Sequence, residues 1–175
     1  FDLWLYQEHL FEARPDVIIE TGTYMGGSAM FLASICDLIG HGRIYSVDKV
    51  RWAPQPKHPR ITYVHGSSTT PSVVEAIGGQ IKDGERVLVI LDSDHTRDHV
   101  LEELRLYAPL VTRGSYIIVE DTNCNGNPVL PEFGPGPMEA VNEFMSKDRG
   151  FEIDRSREDR FLMTFNPGGW LKRLW

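Results

Sequence analysis

Acidic residues recur where apolar runs stop. Glu20 follows Val17-Ile18-Ile19, Asp48 follows Arg43 to Val47, Asp92-Ser93-Asp94-His95 follows Arg86 to Leu91, and Glu120-Asp121 follows Ser115 to Val119. Carboxylates gathered at one edge repel one another unless something positive sits among them, and hard oxygen donors of this kind suit Mg²⁺, Mn²⁺ or Ca²⁺. Asp92 and Asp94 share a side if their strand continues, and Glu120 and Asp121 arrive from a second strand end to complete an open octahedral set. Which of Asp92 and Asp94 coordinates stays open, and any single acid can instead cap the helix that follows it. His95 stands three positions after Asp92, where an imidazole can take a proton from a hydroxyl near neutral pH. His99, one turn later, is expected either to orient His95 or to lie on the helix surface.

A second constellation binds rather than reacts. In Glu20-Thr21-Gly22-Thr23-Tyr24-Met25-Gly26-Gly27-Ser28 the first glycine permits a tight turn, and Gly26 and Gly27 leave a helix start bare for a ligand. Ser28 is expected to cap that helix. Asp48 lies about the 20 residues beyond the glycines at which an acid accepts hydrogen bonds from a ribose. Taken alone, this turn serves any nucleotide-like ligand, NAD included. There is no Gly-x-Ser-x-Gly elbow and no phosphate-binding Gly-Lys-Ser/Thr signature, so acyl chemistry and nucleoside triphosphate hydrolysis fit poorly.

The elements that must position these groups alternate. A helix over Phe1 to Ala13 ends before Pro15. Strands are expected at Val17 to Ile19, Arg43 to Asp48, Ile61 to Val64, Arg86 to Leu91, Ser115 to Val119, Phe151 to Ile153 and Phe161 to Phe165. Helices are expected over Ala29 to Ile39, from Pro71, after His95 with Val100, Leu101 and Leu104 inward, and around Met138 to Met145. A long loop from Thr122 to Pro137 carries four prolines and three glycines, and such loops in compact domains tend to be functional lids. Buried strands alternating with helices predict an α/β, three-layer Rossmann-like fold with a mostly parallel, seven-stranded sheet and ligands at the C-terminal strand ends.

Composition bounds the rest. The 175 residues, 41% hydrophobic and 25% charged, fit a single domain over 1–175 with an ordinary core. A net charge of −7 with no basic cluster argues against nucleic acid. No apolar run approaches a bilayer span, and Cys36 and Cys124 lie in no paired motif, which together predict a reducing, cytoplasmic setting. The first residues read as mid-helix without a start signal, an expectation that the natural chain begins upstream.

The runs Asp16 to Ser28, Gly42 to Asp48, Leu91-Asp92-Ser93-Asp94-His95 through Val100, and Tyr116 to Thr122 with Val119-Glu120-Asp121-Thr122 together resemble the cephalosporin hydroxylase and rhamnosyl O-methyltransferase family of S-adenosylmethionine-dependent methyltransferases. The resemblance implies that Glu20, Thr21, Gly22, Gly26, Gly27 and Ser28 hold the methionine part of S-adenosylmethionine, with Asp92 also bordering the cofactor. Asp48 would hold its ribose, and Ser67 and Ser68 would lie near its adenine. It implies Mg²⁺ on Asp92 or Asp94 with Glu120 and Asp121. His95 stands where catechol-type relatives place a lysine base. The expected activity is methyl transfer to a hydroxyl of a sugar or glycosylated natural product by a homo-oligomer, and the chain is expected to lack the N-terminal extension of the family's longer members. Two alternatives use the same residues: a cofactor-binding partner subunit of a natural-product hydroxylase without transferase activity, and an NAD-dependent oxidoreductase, which leaves Glu120-Asp121 idle.

Overall fold

The computed structural model describes residues 1–175. Five strands run parallel, and the three at the centre of the sheet are apolar on both faces and so lie through the middle of the molecule. The five are β1 (Val17–Thr21), β2 (Arg43–Asp48), β3 (Ile61–His65), β4 (Val87–Leu91) and β5 (Tyr116–Val119), of which β1, β4 and β5 are buried at every position. Two further strands, β6 (Phe151–Ile153) and β7 (Trp170–Arg173), complete a seven-stranded sheet in the order β3-β2-β1-β4-β5-β7-β6. All pairings are parallel except those of β7, which runs antiparallel between β5 and β6.

Alternation along each strand divides the core in two. Ile18, Ile44, Leu88, Ile90 and Ile118 face α1 (Asp2–Ala13) and α2 (Gly27–Ile39), which contribute Leu5, Leu10, Leu32 and Ile35. Val17, Ile19, Val89, Leu91, Ile117 and Val119 face the other way, onto α3 (Pro71–Gly78), α4 (Arg97–Tyr107) and α5 (Pro137–Lys147) through Val74, Ile77, Leu101, Leu104, Val141 and Phe144. A short α6 (Arg155–Glu158) follows β6.

The expected last strand at Phe161 to Phe165 does not form. Leu162 is 93% exposed there, Phe161 stacks on Phe1 and meets Trp4 at a tilt, and the Phe165 amide donates to Asp2. The strand comes later, after Gly168 and Gly169, because Trp170 and Leu171 are the residues that reach the two cores. A Cβ on Gly169 would stand 2.3 Å from the Val119 carbonyl oxygen, so only glycine lets the chain enter the sheet at this point.

Register sets the functional edge. Thr21 pairs with Val47 on one side and Leu91 on the other, and Leu91 pairs with Val119. Gly22, Asp48, Asp92 and Glu120 are therefore the residues at or immediately past four neighbouring strand ends. No helix is long and apolar enough to cross a membrane.

Candidate active site

The glycine turn is built against β4. Gly22, at φ +87°, donates its N–H to Val47, and a Cβ at this position would stand 1.8 Å from the Asp92 carbonyl oxygen. Glycine is required on both counts, conformation and space. Asp92 is held in return, its N–H donating to the Thr21 carbonyl at 3.1 Å. Gly26, at φ +77°, is the cap of α2, and Ser28 lies inside the helix rather than capping it. Its hydroxyl lies near the buried Glu20 carboxylate, which accepts from Ser46 at 2.5 Å. Burial raises the pKa of Glu20, and the two hydroxyls oppose that shift. Thr21 is fully buried in β1.

A cavity of about 350 Å³ opens beside this turn, lined among others by Gly22, Asp48, Trp52, Ser67, Ser68 and Asp92. Asp48 accepts from the Tyr24 and Val50 amides at 2.9 and 2.8 Å and from Trp52 Nε1 at 3.2 Å, which fixes the carboxylate at the cavity wall. A second cavity of about 260 Å³, on the α1 side, is lined by Glu20, Ser28, Tyr6, Phe31, Phe165, Asp92, Glu120 and Asp121, together with four others. Of the residues expected to bind cofactor, five therefore share the first cavity, which Asp92 joins to the second with Glu20 and Ser28, while Thr21, Gly26 and Gly27 line neither. Asp92 borders both cavities.

The acids separate into distinct environments. Ligand atoms of Asp92, His95 and Asp121 lie within 4.8 Å of one another, and His95 Nε2 is 3.3 Å from Asp121 and 3.9 Å from Asp92. Asp94 is not among them, because its Oδ1 accepts from the Thr96 amide and hydroxyl at 3.0 and 2.7 Å just before α4 begins. Those bonds hold its carboxyl below the usual range. Glu120 turns the other way and accepts from the buried Tyr6 hydroxyl. Asp121 can diverge from its neighbour because it sits in the left-handed region at φ +55°, its amide tied to Asn166.

Electrostatics mark the same place. Burial pushes the Asp92 carboxyl up to about 8, with Glu120 and Asp121 adding repulsion, and burial pushes Glu120 up to about 7 against the Tyr6 hydrogen bond. Carboxyls perturbed this far at a cavity edge are what a functional site requires. His99 neither orients His95 nor lies free on the helix surface. It contacts Ser68, Ser93 and Glu103, and since those partners come from separate segments, sequence spacing did not reveal them.

Comparison with known proteins follows the geometry. The family described as rhamnosyl O-methyltransferase/CmcI matches residues 1–174. The rhamnosyl O-methyltransferase of Mycobacterium tuberculosis is 41% identical over 179 residues, covering 98% of this chain and 73% of that protein, and the protein of that name from Mycobacterium leprae is 41% identical over 178 residues, covering 98% and 77%. Among solved structures, a CmcI structure with Mg and SAM superposes with a TM-score of 0.73 at 18% identity, covering 98% of this chain and 70% of that one. The MycE methyltransferase of the mycinamycin pathway, in complex with Mg, SAH and mycinamycin VI, gives 0.61 at 20% identity, covering 81% and 39%. At those identities the structures establish the fold. With the family match and the mycobacterial relatives, they make this chain a member of the rhamnosyl O-methyltransferase/CmcI family and an S-adenosylmethionine-dependent O-methyltransferase.

Proposed function

We propose that this chain, acting as one domain over 1–175, transfers a methyl group from S-adenosylmethionine to a hydroxyl of a sugar, with a divalent cation held at Asp92 and Asp121. The observation that carries the reading is the sharing of Asp92 between the two cavities, which brings a nucleoside-sized space to the edge of the acid cluster. The sugar comes from the relatives, which are named rhamnosyl O-methyltransferases and are 41% identical.

The residues fit both groups. Asp92 and Asp121 have no basic side chain beside them except His95, and burial together with repulsion from Glu120 and Asp121 raises the pKa of Asp92, which a cation at this place would relieve. Oxygen donors suit Mg²⁺, whereas Asp94 and Glu120 are already engaged by Thr96 and Tyr6. A cation there would lower the pKa of an acceptor hydroxyl and neutralise charge around it. S-adenosylmethionine would supply a methyl group open to in-line attack by that oxygen. His95 removes the hydroxyl proton, oriented by Asp121. Asp48 accepts from the ribose hydroxyls, Gly22 makes the tight turn that lets Asp92 pack against it at the cavity wall, and Glu20, Thr21, Gly26, Gly27 and Ser28 hold the methionine end. Assembly as a homo-oligomer belongs to the same reading, and light scattering on eluted protein tests it.

Incubation with labelled S-adenosylmethionine and a panel of rhamnosides is expected to give labelled ether products that EDTA suppresses and Mg²⁺ restores. Asp121→Ala should lower kcat/KM by about 100-fold or more. Transfer that ignores chelation and survives the substitution would remove the metal from the reading, and products absent from every glycoside would remove the sugar.

A further inference from the structure

Behind the wall of the first cavity lies a buried polar network that the reaction as described does not use. Glu103, on α4, is completely buried, and its Oε2 has no hydrogen-bond partner. Its Oε1 accepts the Ser93 hydroxyl proton at 2.7 Å. Ser93 has one proton to give, so toward His99 its oxygen must accept, and the 3.1 Å contact places a proton on His99 Nε2. The same Nε2 lies 3.1 Å from Ser68 Oγ and 3.5 Å from Glu103 Oε1. All protein contacts of this imidazole therefore run through Nε2. His99 lines the cavity together with Ser67, Ser68 and Ser93, so Nδ1 is the nitrogen left for a ligand.

A fully buried carboxylate needs a counter-charge, and His99 is the cation partner Glu103 has. The bond that His99 donates to the Glu103 carboxylate raises the pKa of His99 in the same sense. An imidazolium with Nε2 committed to protein oxygens presents Nδ1–H to the cavity as a single donor. Asp48 anchors a ribose in this cavity and Asp92 marks its reacting end, so a base is left to occupy the stretch between Val50, Trp52, Ser68 and His99.

We propose that His99, set in orientation by Glu103 and Ser93, is a specificity residue that donates from Nδ1 to a ring nitrogen of the cofactor's purine. The inference rests on the proposed cofactor reading and deepens it. Two substitutions separate recognition from bracing, because a glutamine amide reaches where Nε2 stands and an asparagine amide reaches where Nδ1 stands. Dissociation constants for S-adenosylhomocysteine are measured by calorimetry, with melting temperatures alongside. His99→Gln, which retains the reach toward Ser68 and Ser93 but removes the charge facing Glu103, is expected to weaken binding by about tenfold, the worth of one hydrogen bond, and to lower the melting temperature by roughly 5–15 °C while leaving unfolding cooperative. His99→Asn is expected to stay within about threefold of wild type. Wild-type affinity in His99→Gln overturns the assignment, and should His99→Asn fail to fold, that comparison with wild type decides alone. Failure of the wild-type protein to bind S-adenosylhomocysteine overturns the cofactor reading itself, and this inference with it.

Discussion

His9 is 2% exposed, and neither of its ring nitrogens has a hydrogen-bond partner. Tyr116 and Trp170 meet its ring edge-on, at 4.7 and 5.5 Å between centroids. Burial and the nearby Arg157 push its pKa down to about 4. The unfolded chain therefore binds a proton there that the folded one refuses. The stability involved is fully present above the unfolded value near 6.5 and is lost as pH falls from about 6.5 toward 4, up to about 3 kcal/mol in all. Chemical denaturation at pH 7.5 and 4.5 is expected to show that loss in wild type and a smaller one in His9→Phe. At the same scale, the acids of the site were legible as a set and not as individuals. That Asp92 and Asp121 would meet follows from strand-end logic. That Asp94 would turn to Thr96 and Glu120 to Tyr6 depends on a left-handed backbone at Asp121 and on a tyrosine 114 positions away, neither of which spacing reports.

Elements impose a second kind of constraint, and the glycine turn is the clearest case. Gly22→Ala adds a Cβ against the Asp92 carbonyl and forces a non-glycine side chain to φ +87°, which together should cost about 2–6 kcal/mol and displace β4 from β1. Urea unfolding would read the cost, and calorimetry the loss of S-adenosylhomocysteine binding. The loop between β5 and α5 is closed at its base by Glu139, which accepts from Asn125 Nδ2 at 2.9 Å and from the Gly136 amide at 2.7 Å. The α5 end of the loop is also tied to α4 by the Arg97 amide donating to Pro135. Glu139→Ala should free the segment between Asn125 and Gly134 to limited proteolysis and raise KM for the acceptor several-fold, with cofactor affinity little changed. The buried strands and their helices were readable because alternation and glycine stops agree along them. The final strand was not, since Phe161 to Phe165 has the apolar composition of a strand while Trp170 has the tertiary position, and only packing on both cores distinguishes them.

Across the whole molecule, the sheet divides two apolar cores and carries every candidate group along one edge. The scaffold can thus be stable on its own account while the edge holds strained and repelling groups, Asp121 and Asp92 foremost. Asp92 stands on the border of both cavities, and this has a thermodynamic corollary. Two ligands that touch one charged group cannot bind independently. Whatever factor S-adenosylhomocysteine introduces into the affinity for Mg²⁺, Mg²⁺ must introduce into the affinity for S-adenosylhomocysteine, and the coupling should shrink in Asp92→Asn.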